Sequence, residues 1–198
     1  RATLRVYNGY ECREANGEFL LAFHSAADAY GWALLAQTAF MKLQWPKRLL
    51  THNSARRIRL ARRDVFVGLR VGIGISSGPF TDVRPCARTG RTEYFGHLLN
   101  LTARIARSAA GGQIVTDYDT LMQARASSGY NIDFCRDLGS FAFKGIAEPV
   151  RMVQVSDASL LARAFEDIHA ARVSEPTVDL FNADDAEVSS SIAHVMHR

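Results

Sequence analysis

The chain has 198 residues, of which 47% are apolar and 22% charged, and its net charge is +4. That length holds one domain with room for a short appendage, and the composition is that of a chain that buries a core, which excludes disordered and fibrous classes. The positive balance comes from arginine, since Lys42, Lys47 and Lys144 are the only lysines; it favours anionic partners such as phosphates and falls short of a nucleic-acid signature. Cys12, Cys86 and Cys135 are widely spaced, odd in number and free of any CxxC. They read as reduced thiols, small buried hydrophobes of a cytosolic setting. No apolar run approaches the ~20 residues of a membrane span.

In chain order, ATLRVY (2–7) reads as the last turn of a helix closed by Asn8-Gly9. Two alternating runs, Tyr10 to Glu14 and Glu18 to Phe23, flank Asn16-Gly17, the strongest short-range signal for a hairpin with a type I′ turn. Residues 25–43 carry helical spacing behind Ser25 as N-cap and Asp28 at N3, and Trp45-Pro46 stops them. Residues 47–63, with RRIRLARR at 56–63, read as a basic solvated connection or insertion, with an acidic partner as the lesser alternative. VFVGLRVGIGI (65–75) is expected to be one buried strand and 76–91 a loop. An amphipathic helix over 96–109 is capped by Gly111-Gly112, followed by a strand at 113–117 and a helix at 118–125. Strands are expected near 131–136, 138–143 and 148–155, then a helix over 159–172 and a polar tail to Arg198. His194 and His197 have a spacing a metal could use but no third ligand. The strand-to-helix turns carry neither GxGxxG nor GxxxxGK[ST], so dinucleotide and P-loop readings have no support.

Phe95-Gly96, Asn100, Arg104 and Gly111-Gly112 stand in an order and spacing that resembles the class III nucleotidyl cyclases, the adenylyl and guanylyl cyclase catalytic domain. The closing segment 134–155, with Leu138-Gly139, Lys144-Gly145 and Glu148-Pro149-Val150, resembles that family too, as does GLRVGIGISSG at 68–78. Together these blocks span about residues 5–156. The resemblance implies an α+β fold, a ferredoxin-like mixed sheet with helices packed on one face. It also implies a domain at 1–156 lacking the family's first strand, with a C-terminal helix and loosely held tail over 157–198.

The resemblance also assigns roles. Asn100 and Arg104, four residues apart, share a helix face with Cβ atoms about 5–6 Å apart and become the catalytic candidates. Arg13 falls where the family places an adenine-recognising Lys, and Glu93 where it places the partner Asp. Arg13 donating to adenine N1 and Glu93 accepting from the 6-amino group keep that polarity, which favours ATP over GTP. Lys144 would supply a point charge to the triphosphate. The family's metal-binding Asp at the turn is replaced by Gly17, and its other metal Asp lies upstream of Arg1. Mg or Mn is therefore expected only where a partner brings the carboxylates, and none on this chain alone.

The implied function is cyclisation of ATP to cyclic AMP and pyrophosphate in cyclic nucleotide signalling. This chain would be the base-binding half of a dimeric site, inactive alone and paired with a second cyclase-type domain. A catalytically dead pseudo-cyclase used for binding or scaffolding is the alternative. A diguanylate cyclase-like domain, echoed in ANGEF (15–19), is the weaker one. The setting expected is cytoplasmic, or the cytoplasmic part of a larger protein.

Overall fold

The computed structural model describes residues 1–127, 132–168 and 170–174. A short 3-10 helix, Leu4–Tyr7, ends at Asn8 in the left-handed conformation (φ 51°), the expected stop of the first turn. Strands β1 (Gly9–Ala15) and β2 (Glu18–Phe23) then form the expected hairpin, with Ala15 opposite Glu18. Asn16 and Gly17 both have positive φ, 54° and 79°, as a type I′ turn requires. The register slips once, at Cys12, so β1 carries a bulge there.

Helix α1 (Ala26–Lys42) starts where expected, because the Ser25 hydroxyl accepts from the Asp28 N–H at 3.1 Å. The basic connection holds more structure than its sequence suggests: a one-turn helix α2 (Lys47–Leu50) and a hairpin of β3 (Ile58–Leu60) and β4 (Arg63–Phe66). The single strand expected over 65–75 is broken in two. Gly68 takes φ 79° with the Trp45 ring in the space a Cβ would need, and pairing resumes only at β5 (Ile73–Ile75). The expected loop 76–91 contributes β6 (Asp82–Pro85), which pairs with β7 (Thr92–Phe95).

Helix α3 (His97–Ser108) and strand β8 (Ile114–Asp117) follow as expected, and Asp117 accepts from the Thr120 N–H at 2.8 Å to start α4 (Tyr118–Ser127). The two strands expected at 131–136 and 138–143 are one, β9 (Phe134–Ala142), with Leu138 bulged beside Gly139 at φ 90°. Strand β10 (Val150–Ser156) closes the family-like segment.

The helix expected over 159–172 does not form. A 3-10 turn at Ala158–Leu160 is followed by irregular backbone and by β11 (Ala171–Ser174). Tertiary contacts outweigh local helical spacing here. Arg163 is drawn into a buried site, Phe165 packs edge-on against Phe66 with ring centroids 6.1 Å apart, and Ile168 enters the core beside Phe141. Residues two apart on a helix face opposite sides, so a helix could not bring both Arg163 and Phe165 onto the Phe66 ring. The tail histidines lie outside the described residues.

The main sheet has the order β11-β9-β10-β8-β5, antiparallel throughout except for the parallel pair β5/β8. All four residues of β8 are buried, since both its faces are covered. Ile114 packs with Ala29, Tyr30 and Leu121 from α1 and α4, and the Tyr30 hydroxyl meets the Thr116 hydroxyl at 2.6 Å on that side. Val115 points the other way, to Ile105 of α3. The α+β mixed sheet is as expected, but the helices divide between its two faces rather than sharing one. Alternation along β8 explains why: a strand buried at every position needs cover on both sides.

Candidate functional site

The candidate residues come from four places around one end of α3. Gly96 leads into the helix at φ 130°, packed against Thr81, whose N–H donates to the Phe95 carbonyl at 2.9 Å. Asn100, one turn in, donates from Nδ2 to the Gly145 carbonyl at 3.3 Å. Gly145 is the third residue of the tight turn 143–146, at φ 82° and closed by the Ile146 N–H to the Phe143 carbonyl at 3.1 Å. Lys144 sits exposed on that turn. The fold thus brings the Asn100 side chain and the Lys144 turn together although 44 positions separate them in the chain. Arg104 is half-buried one turn further along and has, among the described residues, no hydrogen-bond or ion-pair partner.

The base-reading candidates lie on neighbouring elements. Arg13 is exposed on β1 just past the bulge; Glu93 is half-buried on β7, opposite Arg84 in the β6/β7 register. Contacts one to three residues before each of them fasten the two strands. The Tyr10 hydroxyl accepts from the Thr92 N–H at 3.2 Å, and Arg91 Nη1 donates to Glu11 Oε1 at 2.6 Å. Arg1 Nε donates to the other oxygen of Glu11 at 2.6 Å. Between these two guanidiniums the Glu11 carboxyl, only 11% exposed, is lowered to a pKa of about 2. Sequence reasoning missed this clamp.

Gly17 occupies the turn apex with nothing within 4 Å of where a Cβ would stand. The nearby carboxylates do not replace the missing one. Glu14 pairs with Phe19 and Glu18 with Ala15 in adjacent rungs, so the two face opposite sides of the hairpin. Among the described residues no three His, Cys, Asp or Glu side chains come close enough to hold a metal ion. The donor set of the described residues therefore does not fit the Mg or Mn ions the family resemblance implies.

An aromatic surface borders the site. Phe80 and Tyr94 stack at 4.4 Å between centroids, and Phe80, Val83, Phe95 and Tyr10 are all exposed. Arg84 covers the Phe95 ring at 4.4 Å.

The mixed sheet thus carries a polar helix end against a lysine turn, with a hairpin fastened to the neighbouring β7. No protein-family profile matches the chain. It is 30% identical over 131 residues to an adenylate cyclase of Mycosarcoma maydis, covering 65% of this chain and 5% of that protein. It is 26% identical over 210 residues to the receptor-type adenylate cyclase GRESAG 4.3 of Trypanosoma brucei brucei, covering 96% of this chain and 16% of that one. A solved Trypanosoma brucei adenylate cyclase in its monomeric state shares the fold at a TM-score of 0.71 and 23% identity, over 87% of this chain and 80% of its own. These similarities support a class III nucleotidyl cyclase catalytic domain. It spans only 5% to 16% of the length of those two curated relatives. No helix among the described residues is long and apolar enough to cross a membrane.

Proposed function

We propose that this domain is the base-binding and transition-state half of a two-domain adenylyl cyclase site, silent alone. The observation that carries the reading is the Asn100–Gly145 contact, which sets the Asn100/Arg104 face of α3 beside Lys144, combined with a turn at Gly17 that offers no carboxylate. In the reaction the ribose 3′ oxygen attacks the α-phosphorus of ATP, a P–O bond forms and pyrophosphate leaves. Such transfer asks the protein for positioning and charge stabilisation more than for covalent chemistry. Arg104, free of a partner among the described residues, would set its guanidinium against charge developing on the phosphoryl oxygens. Asn100 would orient the ribose, Lys144 would meet the triphosphate, and Arg13 with Glu93 would read adenine. The exposed Phe80, Val83 and Phe95 support a second cyclase-type domain as the partner on that side.

The test mixes this chain with a cyclase domain that keeps both metal carboxylates but has Ala at its own Asn and Arg positions. Cyclic AMP should form from ATP with Mn²⁺ in the mixture and not with either protein alone. Asn100→Ala or Arg104→Ala in this chain should lower kcat of the mixture at least ~100-fold, the usual loss for one transition-state donor. Turnover by the chain alone overturns the proposal. ATP binding without turnover in any pairing would instead favour the pseudo-cyclase reading, for which the carboxylate-free turn at Gly17 is the specific support.

A further inference from the structure

The basic insertion takes no part in the site just described, and it lies at the opposite pole of the molecule. Gly96, at the start of α3, packs on Thr81 beyond the end of β5, whereas Gly111, past the end of α3, packs on Arg70 ahead of β5. From Lys47 to Arg70 the chain carries eight cations against one acid, Asp64. That carboxylate is already shared by Arg59, at 2.8 Å, and Arg57, at 3.8 Å. Beneath this surface two guanidiniums, Arg70 and Arg163, each lie 4.6 Å from the centroid of the Phe66 ring. Arg163 is 8% exposed and, among the described residues, satisfied only by neutral oxygens: the carbonyls of Val65 and Gly112 and the Gln37 amide, each at 2.8 Å. Arg70 Nη2 donates to the Arg56 carbonyl at 3.3 Å, while its buried Nε has no partner among the described residues. Among the described residues none of Arg56, Arg70 and Arg163 has a carboxylate within ion-pair distance. So much like charge, partly desolvated, is stabilised by an anion with several carboxylates spread along it.

We propose that this pole is the docking surface for the chain's own acidic segment, residues 175–187. That segment contains Glu175, Asp179, Asp184, Asp185 and Glu187 and no Lys or Arg. The route of the chain favours it over any outside partner. Residues 163–165 already run against β4, through Arg163 to Val65 and Phe165 to Phe66. Strand β11 is antiparallel to β9, and through β10 and β8 this makes it antiparallel to β5. The chain therefore leaves Ser174 heading toward the pole where β5 begins. Four strand spacings separate β11 from β5, about 19 Å, and 13 residues reach up to about 43 Å. Being tethered, the segment acts at a high effective concentration that no free peptide matches.

The experiment compares two full-length variants of equal net charge. One neutralises the segment (Glu175→Gln, Asp179→Asn, Asp184→Asn, Asp185→Asn, Glu187→Gln). The other neutralises five exposed acids elsewhere (Glu14→Gln, Glu18→Gln, Asp119→Asn, Asp133→Asn, Glu148→Gln). The probe is a fluorescent 20-residue poly-glutamate peptide, read by anisotropy in low salt. The first variant should bind it at least tenfold more tightly than the second, and adding Arg56→Ser, Arg59→Ser and Arg62→Ser to it should abolish the gain. Equal affinity in the two variants would mean that the face is open to partner chains or lipid surfaces and not covered by the segment, which overturns the proposal. So would a gain that survives the arginine substitutions, because the probe would then be sitting elsewhere.

Discussion

At Glu11 two guanidiniums converge on one carboxyl, and that carboxyl holds the hairpin to β7. Its pKa is lowered to about 2 first by the hydrogen bond from Arg1 and then by that from Arg91. A carboxyl with a depressed folded-state pKa contributes stability that is present above its unfolded value, about 4.3, and lost as pH falls through the folded one. The melting temperature of the wild-type chain should therefore exceed that of Glu11→Gln by a constant margin above about pH 5, and the margin should shrink steadily below pH 4.5. A margin unchanged down to pH 2.5 would show that the clamp contributes nothing. Arg163 gives the opposite kind of residue. Burial, then the nearby Arg70, lowers its guanidinium to about 10, so it stays charged at neutral pH while giving its donors to three neutral oxygens. Arg163→Met leaves those oxygens buried without a donor, which should cost about 3 kcal/mol in urea unfolding. Neither residue announces itself in the sequence, because each owes its role to partners ten or more positions away.

Among elements, turn chemistry separates what was legible from what was not. Asn16-Gly17 names its own conformation, and the hairpin β1/β2 is where the sequence puts it. The β3/β4 hairpin has the same two-residue loop with Ala61 at φ 45° and Arg62 at φ 67°, residues that give no such signal. Holding a side chain in the left-handed region costs about 1–2 kcal/mol, so Arg62→Gly should stabilise the chain by about 1 kcal/mol and raise its melting temperature by a few degrees. Gly74 on β5 works in reverse. A Cβ there would run into the backbone of Ala106 on α3, so Gly74→Ala should destabilise by 3 kcal/mol or so, beyond ordinary overpacking, since backbone must move. The helical spacing of 159–172 misled for a third reason: local pattern cannot register that Arg163 and Phe165 both meet Phe66 while Ile168 packs beside Phe141. For the site, ordered short motifs located α3 and the Lys144 turn, which the fold brings into contact. Arg13 and Glu93 rest on elements that touch through Tyr10, Glu11, Arg91 and Thr92 rather than through the candidates themselves.

At the scale of the molecule, the chain divides its charge between two poles. One carries Asn100, Arg104 and Lys144 and lacks carboxylates at the turn; the other carries the arginine-rich insertion. This bears on whether a single substitution can make the domain self-sufficient. Gly17→Asp is the obvious attempt, since open space surrounds the position. The backbone there, at φ 79°, resists a side chain, though Asp tolerates that region better than most. A loss of about 1 kcal/mol and a melting temperature lower by a few degrees should follow. Two bridging ions in a phosphoryl-transfer site need more than one carboxylate between them, and Glu14 and Glu18 diverge across the hairpin. The variant should accordingly bind Mn²⁺ no more tightly than wild type by calorimetry and form no cyclic AMP alone. Tight Mn²⁺ binding or turnover by Gly17→Asp would mean that the remaining ligands already lie on this chain, and the requirement for a complementary domain would fall with it.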